Sequence, residues 1–206
     1  MRCAAVSLPR VRSPSSSARR QDRDVVKRNQ VRVIAGKWRR RQLKFPSAAD
    51  LRPTPDRVRE TLFNWLGQTL DGKTCLDLFA GSGALGFEAA SRAASCVVMV
   101  ELDRAAYAAL AVNAESLQAD NVELHREEAF GFLASDQRQF DVVFLDPPYR
   151  QVLLPDLLEK LRTHLAARSR VYLEADRLPE IPPGYEVVRQ SQAGQVKYLL
   201  LEFNDD

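Results

Sequence analysis

The sequence predicts an α/β fold: a doubly wound, mostly parallel sheet with helices on both faces. Three observations carry this. From Thr74 onward, short apolar runs alternate with stretches of helical periodicity. Gly81-Ser82-Gly83-Ala84-Leu85-Gly86 joins the first of those runs to a helix. The chain closes on two β-rich runs around Ala193-Gly194, which read as a hairpin. A chain of 206 residues fits one such domain with a small appendage and can bury a real core. It has no internal repeat, and no apolar run approaches a membrane span.

Residues 1–29 are rich in Arg and Ser, lack periodic apolar positions and read as a disordered basic tail. The tail has no secretory h-region; a transit peptide, a natural basic arm and an upstream start codon all fit its composition. Residues 31–34 and 42–45 look like two short strands. Lys37, Trp38, Arg39, Arg40 and Arg41 lie between them, a basic run with an aromatic that suits a phosphate backbone and an unstacked base. A solvated hairpin tip has the same composition. Thr54 and Pro55 then read as the N-cap and first residue of a helix, with Val58, Leu62, Leu66 and Leu70 as its apolar stripe. Arg52, Thr54, Arg57 and Arg59 are expected to face solvent, a cleft or RNA.

The next strands are expected at 74–79, 96–100, 122–125, 140–145, 170–174, 185–190 and 196–203. The helices between them run from the glycine loop to about 93, from the Asp103 cap to about 117, through Phe130 and Leu133, and over 153–165.

Charge is split along the chain. Residues 1–44 hold fourteen Lys and Arg against two Asp, although the whole chain carries only +3. A basic arm on an acidic body suits a polyanionic partner such as nucleic acid. Cys3, Cys75 and Cys96 show no metal-binding or CxxC spacing and are expected as free thiols in a reducing compartment. No metal is expected.

Two motifs carry chemistry. The glycine run fits GxGxxG, with Glu101 twenty residues past Gly81, and so fits a dinucleotide-binding oxidoreductase. Against that reading, Asp77 ends the preceding strand, where it would oppose a pyrophosphate but suits a cationic amino-acid group. The chain leaves no room for a separate substrate domain. The strand at 140–145 ends in Asp146-Pro147-Pro148-Tyr149, for which hydride transfer has no use. S-adenosylmethionine suits all three features. Gly81 and Gly83 would let backbone approach it, within a loop that includes Phe79, Ala80 and Ser82. Glu101 and the adjacent Leu102 would meet the ribose side, and Glu128 with Ala129 the adenine edge. Glu128 also reads as a plain helix cap.

The amino group of a base is a poor nucleophile because its lone pair is delocalised into the ring. A carboxylate and a fixed carbonyl can accept its two hydrogens and aim the lone pair, while a neighbouring ring stacks on the base. Asp146, the Pro147 carbonyl and Tyr149 supply these elements, with Pro148 fixing the turn. The plain alternative is a proline turn in which Asp146 caps the next helix. A non-catalytic RNA-binding module on the same fold is a further reading, which the intact glycine loop and Asp-Pro-Pro-Tyr disfavour.

These motifs occur together with Val31-Arg32-Val33-Ile34-Ala35-Gly36, Arg52-Pro53-Thr54, the run Asp56-Arg57-Val58-Arg59-Glu60-Thr61-Leu62-Phe63-Asn64-Trp65-Leu66, and Gly194-Gln195-Val196. In this combination the sequence resembles the RsmD-type 16S rRNA guanine-N2 methyltransferases. The resemblance covers about residues 31–203. It implies a Rossmann-like class I methyltransferase whose seven-stranded, mostly parallel sheet has an antiparallel last strand. It implies methyl transfer from S-adenosylmethionine to one guanine of small-subunit rRNA, in the cytoplasm, by a monomer acting on free RNA or an assembling particle. Residues 30–72 would then be an RNA-facing extension and 73–206 the catalytic domain. Asp-Pro-Pro-Tyr alone would also fit methylation of adenine N6, cytosine N4 or a protein glutamine. Glu128 stands where the family often has Asp.

Overall fold

The computed structural model describes residues 28–46, 53–147, 154–175, 177, 179–194 and 196–204. The expectations for residues 1–27, Arg52, Pro148 and Tyr149 lie outside the described residues.

Seven strands form one sheet in the order β5-β4-β3-β6-β7-β9-β8. They are β3 (Thr74–Asp77), β4 (Cys96–Val100), β5 (Val122–His125), β6 (Phe140–Leu145), β7 (Leu165–Ala175), β8 (Tyr185–Ala193) and β9 (Val196–Phe203). Strands β3 to β7 run parallel, and β9 is antiparallel to both β7 and β8. The chain steps outward from β3 through β4 to β5, then returns to β6 on the other side of β3. The β3–β6 boundary is therefore the switch point, beside whose carboxyl ends ligands bind in such sheets.

Helices α1 (Asp56–Leu66), α2 (Ala84–Ser91), α3 (Arg104–Leu117), α4 (Ala129–Ser135) and α5 (Leu154–Leu161) cover the sheet. Phe63, Phe87 and Leu110 pack with Met99, Phe144 and Tyr172 on one face. Phe132, Leu157 and Leu161 pack with Leu76, Val98 and Val143 on the other. Burial on both faces explains why β4 and β6 read as unbroken apolar runs. Asp103 caps α3 as expected, accepting from the Ala105 and Ala106 N–H at 2.9 and 2.8 Å.

Several boundaries differ. β1 (Arg28–Arg32) starts inside the segment expected to be disordered, because residues 28–32 ladder against β2 (Gln42–Pro46). Val33 leaves that ladder to bond with Arg40 and Arg41 at the hairpin tip. α1 ends at Leu66, before Leu70, because Gly67 takes φ 95°. Pro55, not Thr54, occupies the cap position of α1, and no side chain caps that helix. β3 stops at Asp77, and α2 stops at Ser91 ahead of Ala93 at φ 71°. α5 ends at Leu161, followed by a 3-10 turn, and β7 begins at Leu165; the strand shifts register against β6 beyond Phe140, with Arg168 at φ 57°. Cys75 is a buried free thiol as expected. Cys96 is instead disulfide-bonded.

The hairpin and α1 are locked to α2 through one buried carboxylate. Glu88 accepts the backbone N–H of Ile34 at 2.7 Å and of Ala35 at 3.0 Å. It also pairs with Arg92 at 2.8 Å and faces Arg59 at 3.5 Å, with no exposed side-chain surface of its own. Arg59 is equally buried and bonds Asp56, the Thr54 carbonyl and the Arg32 carbonyl. The expectation that Arg59 faces solvent or RNA is therefore corrected: its partners are all within the protein. Trp38 is also buried, edge-on to Phe87, and cannot stack on a base. Ser91 accepts the Trp38 N–H and donates to the Ala35 carbonyl, while a side chain at Gly36 would collide with the Ser91 backbone. On α3, the Asn113 amide bonds both backbone groups of Lys44.

Candidate active site

The register of the sheet gathers four carboxylates at one edge. Asp77 pairs with Met99 on β4 and Phe144 on β6, and Phe144 pairs with Tyr172 on β7. Two residues further along come Glu101 and Asp146, just past the ends of β4 and β6, and Glu174 on β7. Among the described residues no Lys, Arg or His forms an ion pair with any of the four. Such a set of groups repels phosphate and favours a cation and hydroxyl or amino donors. It fits an ammonium-bearing nucleoside and does not fit a pyrophosphate.

Asp77 is buried and accepts the Gly86 N–H at 2.9 Å. Burial raises its pKa and the nearby Glu101 adds to the shift, against the backbone N–H bonds of Gly86 and Phe79; it is pushed up to about 7. This has a thermodynamic consequence. Between its ordinary value of 3.8 and about 7, the folded protein keeps a proton that the unfolded chain has lost. Stability is thus greatest at the acid end of that window and falls as pH rises, by up to about 1.4 kcal/mol per pH unit for one group. The depressed carboxyls Asp56, Glu123, Asp136 and Asp141 lose their contribution only as pH falls below their ordinary values of 3.8 for Asp and 4.5 for Glu. The melting temperature of the ligand-free protein should therefore fall between about pH 5 and 7.5, and Asp77→Asn should flatten part of the fall. A wild-type melting temperature that climbs across that range would contradict this.

The glycine loop bends through left-handed backbone at Gly81 (φ 51°) and Gly83 (φ 79°). A Cβ on Gly83 would also lie 2.6 Å from Leu110 and Phe87, so packing and conformation both require glycine there. Glu101 is tied to the loop: it accepts the Gly81 N–H and the Asp103 N–H, each at 2.7 Å. Phe79 and Ala80 sit between Asp77 and these glycines, Ser82 is buried within the loop, and Leu102 beside Glu101 is 65% exposed. Glu128 is exposed and caps α4 by accepting the Gly131 N–H, with Ala129 buried next to it. The cap reading of Glu128 thus holds.

Asp146 follows directly on β6, half-buried, with Pro147 after it. Burial raises its pKa well above the usual carboxylate range, and the Glu174 and Asp77 charges add to this. Glu174, which ends the strand expected at 170–174 but was not expected as a site residue, lies beside Asp146. Its Oε1 accepts the Tyr172 hydroxyl at 2.8 Å and the Thr54 hydroxyl at 2.9 Å. Burial raises its pKa too, against those two hydroxyls. Thr54 is therefore buried and directed at the site rather than capping α1 or lying open on a surface. It also borders a cleft lined by Gln30, Arg32, Gln42 and Pro53, and its bond to Glu174 ties the extension to the acidic edge.

Lys37, Arg39, Arg40, Arg41 and Arg57 are all exposed. Arg41 donates to the Ser116 carbonyl. His164 is buried against backbone carbonyls and His125 lies against Glu123 and Phe132; neither joins the acidic edge. No cluster of metal-ligating side chains occurs among the described residues, and no helix among them is long and apolar enough to cross a membrane.

Residues 31–202 match the family model described as "Conserved hypothetical protein 95". The chain is 43% identical to "Ribosomal RNA small subunit methyltransferase D" of Escherichia coli (strain K12), over 84% of this chain and 90% of that protein. It is 38% identical to the protein of the same name in Haemophilus influenzae, over 85% and 95%. The solved structure of the Escherichia coli yhhF protein, a candidate methyltransferase, superposes with a TM-score of 0.79 at 41% identity, covering 86% of this chain and all of that one.

Proposed function

The chain belongs to the RsmD family of small-subunit ribosomal RNA methyltransferases, and from that premise we propose that it transfers a methyl group from S-adenosylmethionine to the exocyclic N2 of one guanine in small-subunit rRNA. The observation that carries this reading is the placement of Asp146 and Pro147. They follow β6 at the switch point, beside Asp77 and the glycine loop, and the Asp146 carboxylate has no hydrogen-bonding partner among the described residues.

In this reading Asp77 holds the ammonium of the cofactor. The backbone of residues 79–83 lies along its amino-acid and ribose portions. Glu101, already fixed by two N–H groups, accepts the ribose hydroxyls. Leu102 covers one adenine face, and the Glu128–Ala129 turn meets the adenine edge. Bound there, the cofactor supplies a methyl carbon made electrophilic by its sulfonium. Asp146 and the Pro147 carbonyl accept the two N2 hydrogens of a guanine splayed out of the RNA, which aims the nitrogen lone pair. Tyr149 stacks on the base. Catalysis is then positioning and electrostatics. The proton lost from N2 passes to Asp146 or to water, so no stronger base is needed. Lys37, Arg39, Arg40, Arg41, Arg52 and Arg57 carry the phosphate contacts, and the enzyme acts in the cytoplasm.

Calorimetry separates the cofactor reading from the dinucleotide one. S-adenosylmethionine or its demethylated product should bind, and NAD should not. Glu101→Ala should weaken that binding by about 1–3 kcal/mol, the cost of a lost charged partner. Binding of NAD alone would overturn the assignment. Transfer itself is read by supplying methyl-labelled cofactor and unmethylated small-subunit RNA: the label should appear on guanosine, and label on adenosine would favour the N6 chemistry.

A further inference from the structure

We infer that Glu174 is the residue that makes the site read guanine, by accepting the N1–H of the target base beside the amino group that Asp146 holds. The inference rests on the guanine reading above and deepens it.

Three observations lead there. First, β6 and β7 are parallel neighbours whose last pair is Leu145 with Leu173, so Asp146 leaves β6 next to Glu174 on β7, near enough for the two charges to interact. Adjacent strands are about 4.8 Å apart, and the N1–H and N2–H donors of guanine are neighbouring groups on one edge of the base. Second, Glu174 is fixed at one oxygen only. Thr54 and Tyr172 both donate to Oε1, while Oε2 takes no hydrogen bond from any described residue. Two hydroxyls aimed at one oxygen set the orientation of the carboxyl plane and leave the other oxygen to an incoming donor. Third, no described cation neutralises this pair. Two adjacent carboxylates without a cation are poorly satisfied alone, and an edge carrying several N–H groups supplies what they lack.

The pairing also explains discrimination. Guanine presents N1–H to Glu174. Adenine presents a bare N1 lone pair, which a carboxylate repels. Asp146 does not make that distinction by itself, because any exocyclic amino group can donate to it. The specificity then comes from β7 and from the Thr54 hydroxyl that the N-terminal extension brings to it. A site built to bond one particular hydrogen rejects an analogue without it far more strongly than a pocket selecting by shape.

The test uses the full-length protein, S-adenosylmethionine, and small-subunit RNA carrying at the target position either guanine or 2-aminopurine. The analogue keeps the amino group on C2 but has a bare N1. Wild type should methylate the 2-aminopurine RNA at least about 100-fold less efficiently in kcat/KM. Glu174→Gln, which can donate to a bare N1, should lose about tenfold or more on guanine and gain on 2-aminopurine, so that the preference shrinks to within about tenfold. The gain separates N1 from O6, which 2-aminopurine also lacks, and it is a change that mere misfolding does not produce. Thr54→Val, which frees Oε1, should shrink the preference less. Equal use of the two RNAs by wild type would overturn the inference even if Glu174→Gln fails to fold. An unchanged preference in a folded Glu174→Gln would overturn it too. In both cases methylation of guanine by wild type shows that the proposed function stands. Absence of any transfer to guanine N2 by wild type would remove the function and the inference together.

Discussion

Asp146→Ala should reduce methyl transfer by about 100- to 1000-fold in kcat, a range typical of losing one preorganised group at a reacting centre, while leaving cofactor affinity within a few-fold of wild type. The reason lies in how the carboxylate is held. Among the described residues it makes no hydrogen bond and no ion pair, so its removal breaks no structural contact that would unfold β6. Its charged form is also held in an unfavourable place, with burial, Glu174 and Asp77 all raising its pKa. Removing it relieves that repulsion, and the variant should melt at or above the wild-type temperature near neutral pH. Lower activity with equal or greater stability is what a group serving the reaction at the expense of the fold produces. Steady-state kinetics, calorimetry and thermal melts on one preparation read all three quantities. Near-normal turnover would show that the carboxylate does not aim the amino group, and a large fall in melting temperature would show that Asp146 serves the loop.

Glu88→Ala should have the opposite signature, a loss of about 3–5 kcal/mol of stability, the usual cost of removing one partner from a buried ion pair. Glu88 has no exposed side-chain surface and satisfies Arg92, Arg59 and two backbone N–H groups of the segment joining β1 to the hairpin tip. Without it, the buried Arg59 keeps Asp56 and two carbonyls but loses its second carboxylate, and the Ile34 and Ala35 N–H groups lose their acceptor. The hairpin should loosen from α2 before the sheet unfolds. Denaturant melts and hydrogen exchange would both see this, exchange first at Ile34 and Ala35. Glu88→Gln, which keeps an acceptor but no charge, should fall between. A Glu88→Ala protein that unfolds within about 1 kcal/mol of wild type would mean that the ion-pair network contributes nothing net.

These two carboxylates also mark what could be read from the chain. Asp146 was legible because a buried apolar run ends on it and two prolines stop the strand. A carboxylate closing an apolar run also marks Asp77 and Glu101, and the same pattern occurs at Glu174, which follows Val171-Tyr172-Leu173. Glu88 gave no signal. It sits in α2 between Phe87 and Ala89; Arg92 is four residues on, but Arg59 and the two backbone N–H groups it accepts are 29, 54 and 53 residues away in sequence. Thr54 likewise looked like a cap from its neighbours, and only a contact 120 residues away shows its role. Strands β4, β5 and β6 were legible to the residue because apolar runs and polar punctuation are local. β1 was not, since a hairpin edge is fixed by the strand it pairs with. Trp38 in a basic run suggested an exposed aromatic, and the packing of the hairpin on α2 buries it.

The most direct test of the whole account is nucleoside mass spectrometry of small-subunit rRNA from a strain lacking the gene, complemented with either wild type or Asp146→Ala. The account predicts one N2-methylguanosine missing from the deletion strain, restored by wild type and not by the variant. An rRNA with unchanged N2-methylguanosine in the deletion strain, or restoration by Asp146→Ala, would contradict it.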